Sequence, residues 1–106
     1  MGKGKNKKRE YIKRWAEKLI GFASEDHSDI YEAEDEISNA IREHMEWLCE
    51  DVEVSLENVK ENFEPFNPTL YIYRYKVKCG DEEITIGASV ETATHGRIFI
   101  EIDRVK

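Results

Sequence analysis

Acidic residues are the strongest chemical signal in this 106-residue chain. Glu32, Glu36, Glu43, Glu46 and Glu50 recur at steps of three and four, with Asn39 standing in the same row and Asp35 beside it. At about 100° per residue such steps keep the groups on one side of a helix. The row from Glu32 to Glu50 is then about 27 Å long, with neighbours about 4.5–6 Å apart along the axis and a gap of about 10 Å at Asn39. That spacing approaches the spacing of phosphates along a nucleic-acid strand, so the row can occupy a basic groove on a nucleic-acid-binding protein. The bland alternative is a solvated face that only keeps a small protein dissolved. Two features weigh against it. Opposite charges at i+4 are almost absent, and the carboxylates repel one another, a cost that a purely solubilising face need not carry.

A second signal is basic. Lys3, Lys5, Lys7, Lys8, Arg9, Lys13 and Arg14 crowd the N-terminal stretch and suit phosphates or an anionic surface, or the chain's own acidic helices. The third is the run Tyr71-Ile72-Tyr73-Arg74-Tyr75-Lys76-Val77-Lys78. Aromatics interleaved with cations can stack and hold bases. Strand alternation, however, sends the tyrosines one way and the cations the other, which favours cross-strand packing or a protein interface with Phe99.

The remaining reactive residues form no motif. His44 falls inside an apolar stripe and reads as a hydrogen-bonded core histidine, while His27 and His95 sit in loops without zinc spacing. Cys49 and Cys79 fall in different elements, make no metal spacing and are expected to be reduced. No nucleophile, base and orienting group can be assembled. The fifteen acids of residues 19–68 make any single carboxylate pair uninformative. No cofactor, no metal and no catalytic activity are expected.

The elements that must carry these groups follow from periodicity. Residues 1–8, Lys- and Gly-rich, read as a disordered basic arm, and residues 9–106 as one domain, with helices over about 9–63 and strands over about 69–105. Ile12, Trp15, Ala16, Leu19, Phe22 and Ala23 make the stripe of a first helix that frays at Gly21 or runs on to Ser24. A second helix starts at Asp29, with Glu32 completing a capping box. Ile30, Ala33, Ile37, Ala40, Ile41, His44, Met45 and Leu48 line its inner side. Residues 52–63 are ambiguous: Val52, Val54 and Leu56 alternate like a strand, whereas Val52, Leu56, Val59 and Phe63 keep a helical step. A short third helix, Leu56 to Phe63, is the favoured reading. Pro65 and Pro68 end helical structure.

Thr69–Cys79, Glu83–Val90 and Arg97–Val105 alternate with period two and are joined by short turns at Gly80-Asp81 and Thr94-His95-Gly96. Ile84, Ile86, Ala88 and Val90 share one face, as do Ile98, Ile100 and Ile102. In the first strand either Leu70 and Ile72 or the tyrosine set turns inward. The expected fold is α+β: two or three N-terminal helices packed on one face of a C-terminal three-stranded antiparallel sheet.

Charge is segregated along the chain. Residues 1–18 carry +6, residues 19–68 carry −13 and residues 69–106 balance, for a net charge of −7. Such asymmetry bears on partner choice and association rate rather than on fold. The expected function is therefore a non-enzymatic interaction module in the cytoplasm. Its acidic helix, through Glu32, Asp35, Glu36, Glu43, Glu46 and Glu50, would block a basic, nucleic-acid-handling partner. Small acidic inhibitors of defence nucleases, anti-CRISPR proteins of viruses among them, offer an analogy of size and charge alone. Direct nucleic-acid binding through the basic arm is one alternative. A homodimer or other homo-oligomer, joined through the last strand's edge or the tyrosine face, is another. No apolar run approaches a membrane span, so no membrane partner is expected.

Overall fold

The computed structural model describes residues 3–59 and 72–106. Two helices, α1 (Lys3–Glu17) and α2 (Ile30–Glu46), precede four strands, β1 (Val52–Val59), β2 (Ile72–Cys79), β3 (Glu82–Thr92) and β4 (Ile98–Val105), with a short 3-10 turn at Thr94–Gly96. The strands form one antiparallel sheet in the order β1-β2-β3-β4. The class is α+β.

Several sequence expectations need correction or refinement. The sheet has four strands, not three. Residues 52–59 form β1 and pair with β2 from Val52↔Cys79 to Val59↔Ile72, so the third helix does not form there; the rest of that stretch, with Pro65, Pro68, Leu70 and Tyr71, lies outside the described residues. Helix α1 begins at Lys3, inside the stretch read as a disordered arm, and ends at Glu17. Lysine and arginine are good helix formers, and in Lys3–Lys8 they outweigh Gly4 and Asn6.

Helix α2 starts as its sequence dictates. The Asp29 side chain accepts from the Tyr31 N–H at 2.9 Å, which satisfies one of the free donors at the helix start. Glu32 does not turn back to complete a capping box; its carboxylate meets His27. The inner stripe of α2, Ala33, Ile37, Ile41 and Met45, is fully buried. It joins Ile12, Ala16 and Leu19 of the α1 segment and the inner sheet residues Tyr73, Tyr75, Val77, Ile84, Ile86, Ala88, Ile100, Ile102 and Val105 in one core. Tyr73 and Tyr75 thus answer the question of which set of β2 turns inward; the Tyr75 hydroxyl donates to the Glu34 carbonyl oxygen at 3.2 Å, and burial pushes that hydroxyl's pKa far up.

Two glycines shape the path. Gly21 has φ of 95°, a conformation that L side chains resist. There the turn that follows α1 swings along the outer edge of β4. Gly21 N–H donates to Ile102 O at 2.8 Å, Ser24 N–H to Ile100 O at 2.8 Å and His27 N–H to Ile98 O at 2.8 Å. Residues 98–102 of the last strand are therefore covered rather than an open edge. Gly87, on the outer sheet face, leaves room for the Arg104 stem; a Cβ there would come within 2.6 Å of Arg104 Cγ.

Cys49 and Cys79 form a disulfide, with Cα atoms 5.4 Å apart, where the sequence reading had two reduced thiols. The register explains the pairing: Val52 lies opposite Cys79, and Cys49 stands three residues before Val52. The bond ties the end of α2 to the end of β2, and Gly80 N–H donates to Asp51 O beside it at 3.2 Å. Among the described residues no helix is long and apolar enough to cross a membrane.

A bridge between residues 30 apart in sequence restricts the unfolded chain by about 3–4 kcal/mol on loop-closure grounds. Replacing both cysteines by alanine should lower the unfolding free energy by about that amount in urea titrations; a loss below about 1 kcal/mol would show that the bridge adds little.

Candidate functional site

Because α2 turns its apolar stripe into the core, its acidic residues other than the half-buried Glu34 lie away from the sheet. The structure divides the six predicted contact residues into three groups. Asp35, Glu43 and Glu46 are exposed on α2. Among the described residues none of them makes an ion pair or a side-chain hydrogen bond. Arg42, the one Lys or Arg of α2, is exposed and leaves them unpaired.

Glu32 and Glu36 are occupied by the protein itself. His27 Nε2 lies 2.7 Å from Glu36 Oε1, and His27 Nδ1 lies 3.2 Å from Glu32 Oε2. The second oxygen of Glu36 accepts from the Glu25 N–H at 2.9 Å. The hydrogen bond to Glu36 is the main reason the His27 pKa is raised; Glu32 adds to it and partial burial opposes it. With its backbone bonded to Ile98 and its ring between two carboxylates, His27 fastens the 21–28 segment to both β4 and α2. Glu50 belongs to neither group. It is exposed but lies past the end of α2, in the loop that carries Cys49. The 27 Å row therefore does not persist as one continuous strip; its free part centres on Glu43 and Glu46.

Trp47 completes that part. It caps the C-terminus of α2, is 85% exposed, and shares a shallow concavity with Glu43 and Glu46. Its place is not marked by the spacing of the carboxylates. The available signal was a tryptophan four residues after Glu43, off the apolar stripe.

The basic residues are arranged differently from a single binding strip. Lys7, Lys8, Arg9 and Arg14 are exposed and Lys13 half-buried, at positions that pass round α1 rather than along one side of it. Arg9 donates to the Lys106 carbonyl oxygen at 3.3 Å, and the Lys18 ammonium sits 5.0 Å from the Trp15 ring centroid. Lys3 and Lys5 are within α1. Trp15 in turn stacks on His44, centroids 4.5 Å apart. The Trp15 indole N–H donates to His44 O at 2.8 Å and His44 Nε2–H donates to Trp15 O at 2.6 Å, which joins the two helices. His44 is thus a hydrogen-bonded packing residue, half-buried rather than fully enclosed.

On the outer sheet face, β2 sets Arg74, Lys76 and Lys78 opposite Glu57, Ser55 and Glu53 of β1. Lys76 Nζ meets Glu57 Oε1 at 3.1 Å, a contact that raises the lysine pKa. Tyr73 and Tyr75 lie on the other, buried side, so these two rings offer no stacking platform; Tyr71 lies outside the described residues. Among the described residues no group of three or more His, Cys, Asp or Glu is placed to hold a metal ion.

The His27 clamp has a signed pH dependence. Since the folded-state pKa lies above 6.5, the clamp stabilises the fold fully below that pH and loses its contribution as pH rises through the folded value. Thermal unfolding followed from pH 5.5 to 9 should show a decline that His27→Gln flattens, and the ring should titrate above 6.5 by NMR. Titration at or below 6.5 would contradict the clamp. Compared with protein-family models, curated protein sequences and solved structures, the chain matches none, so the use of this surface has to be argued from its chemistry.

Proposed function

We propose that the chain is a non-enzymatic interaction module that seats the outer face of α2 on a basic surface of a nucleic-acid-handling protein and so blocks it. One observation carries this reading. Asp35, Glu43 and Glu46 stand exposed without an intramolecular cation among the described residues, and a tryptophan 85% exposed stands next to two of them. Exposed carboxylates steer a basic partner and set the association rate. Trp47 supplies what charge alone lacks. Tryptophan is enriched among the few residues that dominate interface energies, and an arginine can stack on its ring while its guanidinium fork meets a carboxylate. Arginine is abundant on surfaces that bind phosphate, which links this face to nucleic-acid-handling partners and to blocking by occupation of their site.

A partner of that kind places the protein in the cytoplasm, where small thiols are abundant and the state of the Cys49–Cys79 bond becomes consequential.

The test is competition. Immobilised chain should retain a nucleic-acid-binding protein from cell lysate and release it to excess duplex DNA. Retention should weaken steeply with salt, because exposed charges are screened beyond about 10 Å at 0.1 M. Asp35→Lys, Glu43→Lys and Glu46→Lys together should abolish capture. Trp47→Ala alone should weaken it by about 2 kcal/mol, roughly thirtyfold in Kd. Glu36→Gln, which alters the contacts to His27 and Glu25 and not the free carboxylates, should leave capture intact. Unchanged capture by the triple variant would discard the reading.

A further inference from the structure

We propose that the Cys49–Cys79 disulfide is a cleavable clasp at the floor of a charge-selective cleft that favours cationic small thiols over anionic ones. The cleft lies where α1, the loop between α2 and β1, and the turn between β2 and β3 converge. It measures about 370 Å³, and both cysteines line it together with Tyr11 and Leu48. That volume is in the range that holds a small molecule. Each cysteine residue is only 6% exposed, so a reagent reaches the bond through this opening and not from the surface at large.

The charges at its rim are uneven. Among the described residues Glu50, Asp51, Asp81 and Lys8 line it, three negative groups against one positive. Groups within one Debye length act on an incoming ion at low salt, so a net negative rim attracts a cationic thiol and repels an anionic one. The acids of the rim are distinct from the exposed carboxylates of α2, and the inference does not depend on how those are used.

The chemistry is thiol–disulfide exchange. A thiolate attacks one cysteine sulfur, the S–S bond breaks, and its electron pair leaves on the other cysteine as a thiolate. A second thiolate then attacks the reagent sulfur of the mixed disulfide. The remaining cysteine leaves as a thiolate, the reagent departs as its symmetric disulfide, and solvent protonates both cysteines. Two thiols are oxidised and one disulfide is reduced. The opened clasp leaves the loop that follows Trp47 held by backbone bonds alone, from Leu48 N–H and Cys49 N–H to Met45 O and from Gly80 N–H to Asp51 O.

The experiment treats the intact chain with cysteamine, 2-mercaptoethanol or 2-mercaptoethanesulfonate, quenches with an alkylating reagent, and reads the opened fraction by mass. Each rate is divided by that thiol's rate on a small neutral disulfide. At low ionic strength the normalised cation-to-anion ratio should be about tenfold, and all rates should rise with thiol concentration. The ratio should fall towards one in about 0.5 M salt. It should do the same in the variant Glu50→Gln, Asp51→Asn, Asp81→Asn, once circular dichroism shows that variant folded; the salt series on the unaltered chain serves if it is not. Equal normalised rates for the three thiols at low salt would overturn the selectivity. Opening at a rate independent of thiol concentration would overturn the clasp itself, because the bond would then be reached only after unfolding.

Discussion

The seating of α2 on the sheet is the interaction on which the rest of the molecule depends. Ala33, Ile37, Ile41 and Met45 are removed from water completely, and burial of each large apolar side chain contributes about 1.5–3 kcal/mol. The repulsion among exposed carboxylates on the opposite face is far smaller, a few tenths of a kcal/mol per pair at such separations in water. Packing therefore decides the rotation of the helix, and the acidic face points outward as a consequence. The same constraint carries Trp47, one residue past the last turn, into solvent beside Glu43 and Glu46.

The acids are then sorted by what lies near them. His27 takes Glu32 and Glu36, so these two carboxylates serve the fold: they hold the segment that covers the edge of β4. Glu34, on the side of α2 nearest the sheet, has its carboxyl pKa raised by burial, with a hydrogen bond from Tyr73 pulling the other way. Glu53 and Glu57 stand across from lysine and arginine on β2. Of the six acids of α2, Asp35, Glu43 and Glu46 are left without an internal partner among the described residues. Three of the six acids of α2 are thus engaged within the protein, and the candidate surface is smaller and more local than the net charge of −7 suggests.

Much of this was legible in the sequence because it rests on local periodicity. The inner stripe of α2 follows from 3.6-residue spacing, its start from Asp29, and the inward faces of β3 and β4 from strict alternation. What escaped prediction depends on contacts between distant segments. Val52, Val54 and Leu56 fit both a strand and a helical step, and pairing with β2 decides between them. Once β1 was read as helix, the fourth strand was lost, and with it the register that brings Cys49 to Cys79. The inward set of β2 could not be chosen from the sequence because Leu70 and Ile72 are as apolar as the tyrosines. His27 looked isolated because its partners, five and nine residues on, face it only after the chain turns at Asp29. Trp47 was passed over because the polar stripe was read for charge alone.

The central claim is that the free part of the acidic face, with its tryptophan, is the contact surface. It is tested most directly by titrating the isotopically labelled chain with an arginine-rich peptide and following the amide and indole resonances by NMR. Shifts should concentrate on Asp35, Glu43, Glu46 and the Trp47 indole, with the His27, Glu32 and Glu36 cluster and the β2 face unmoved. Shifts spread over every acidic residue alike, or confined to the outer sheet face, would contradict it.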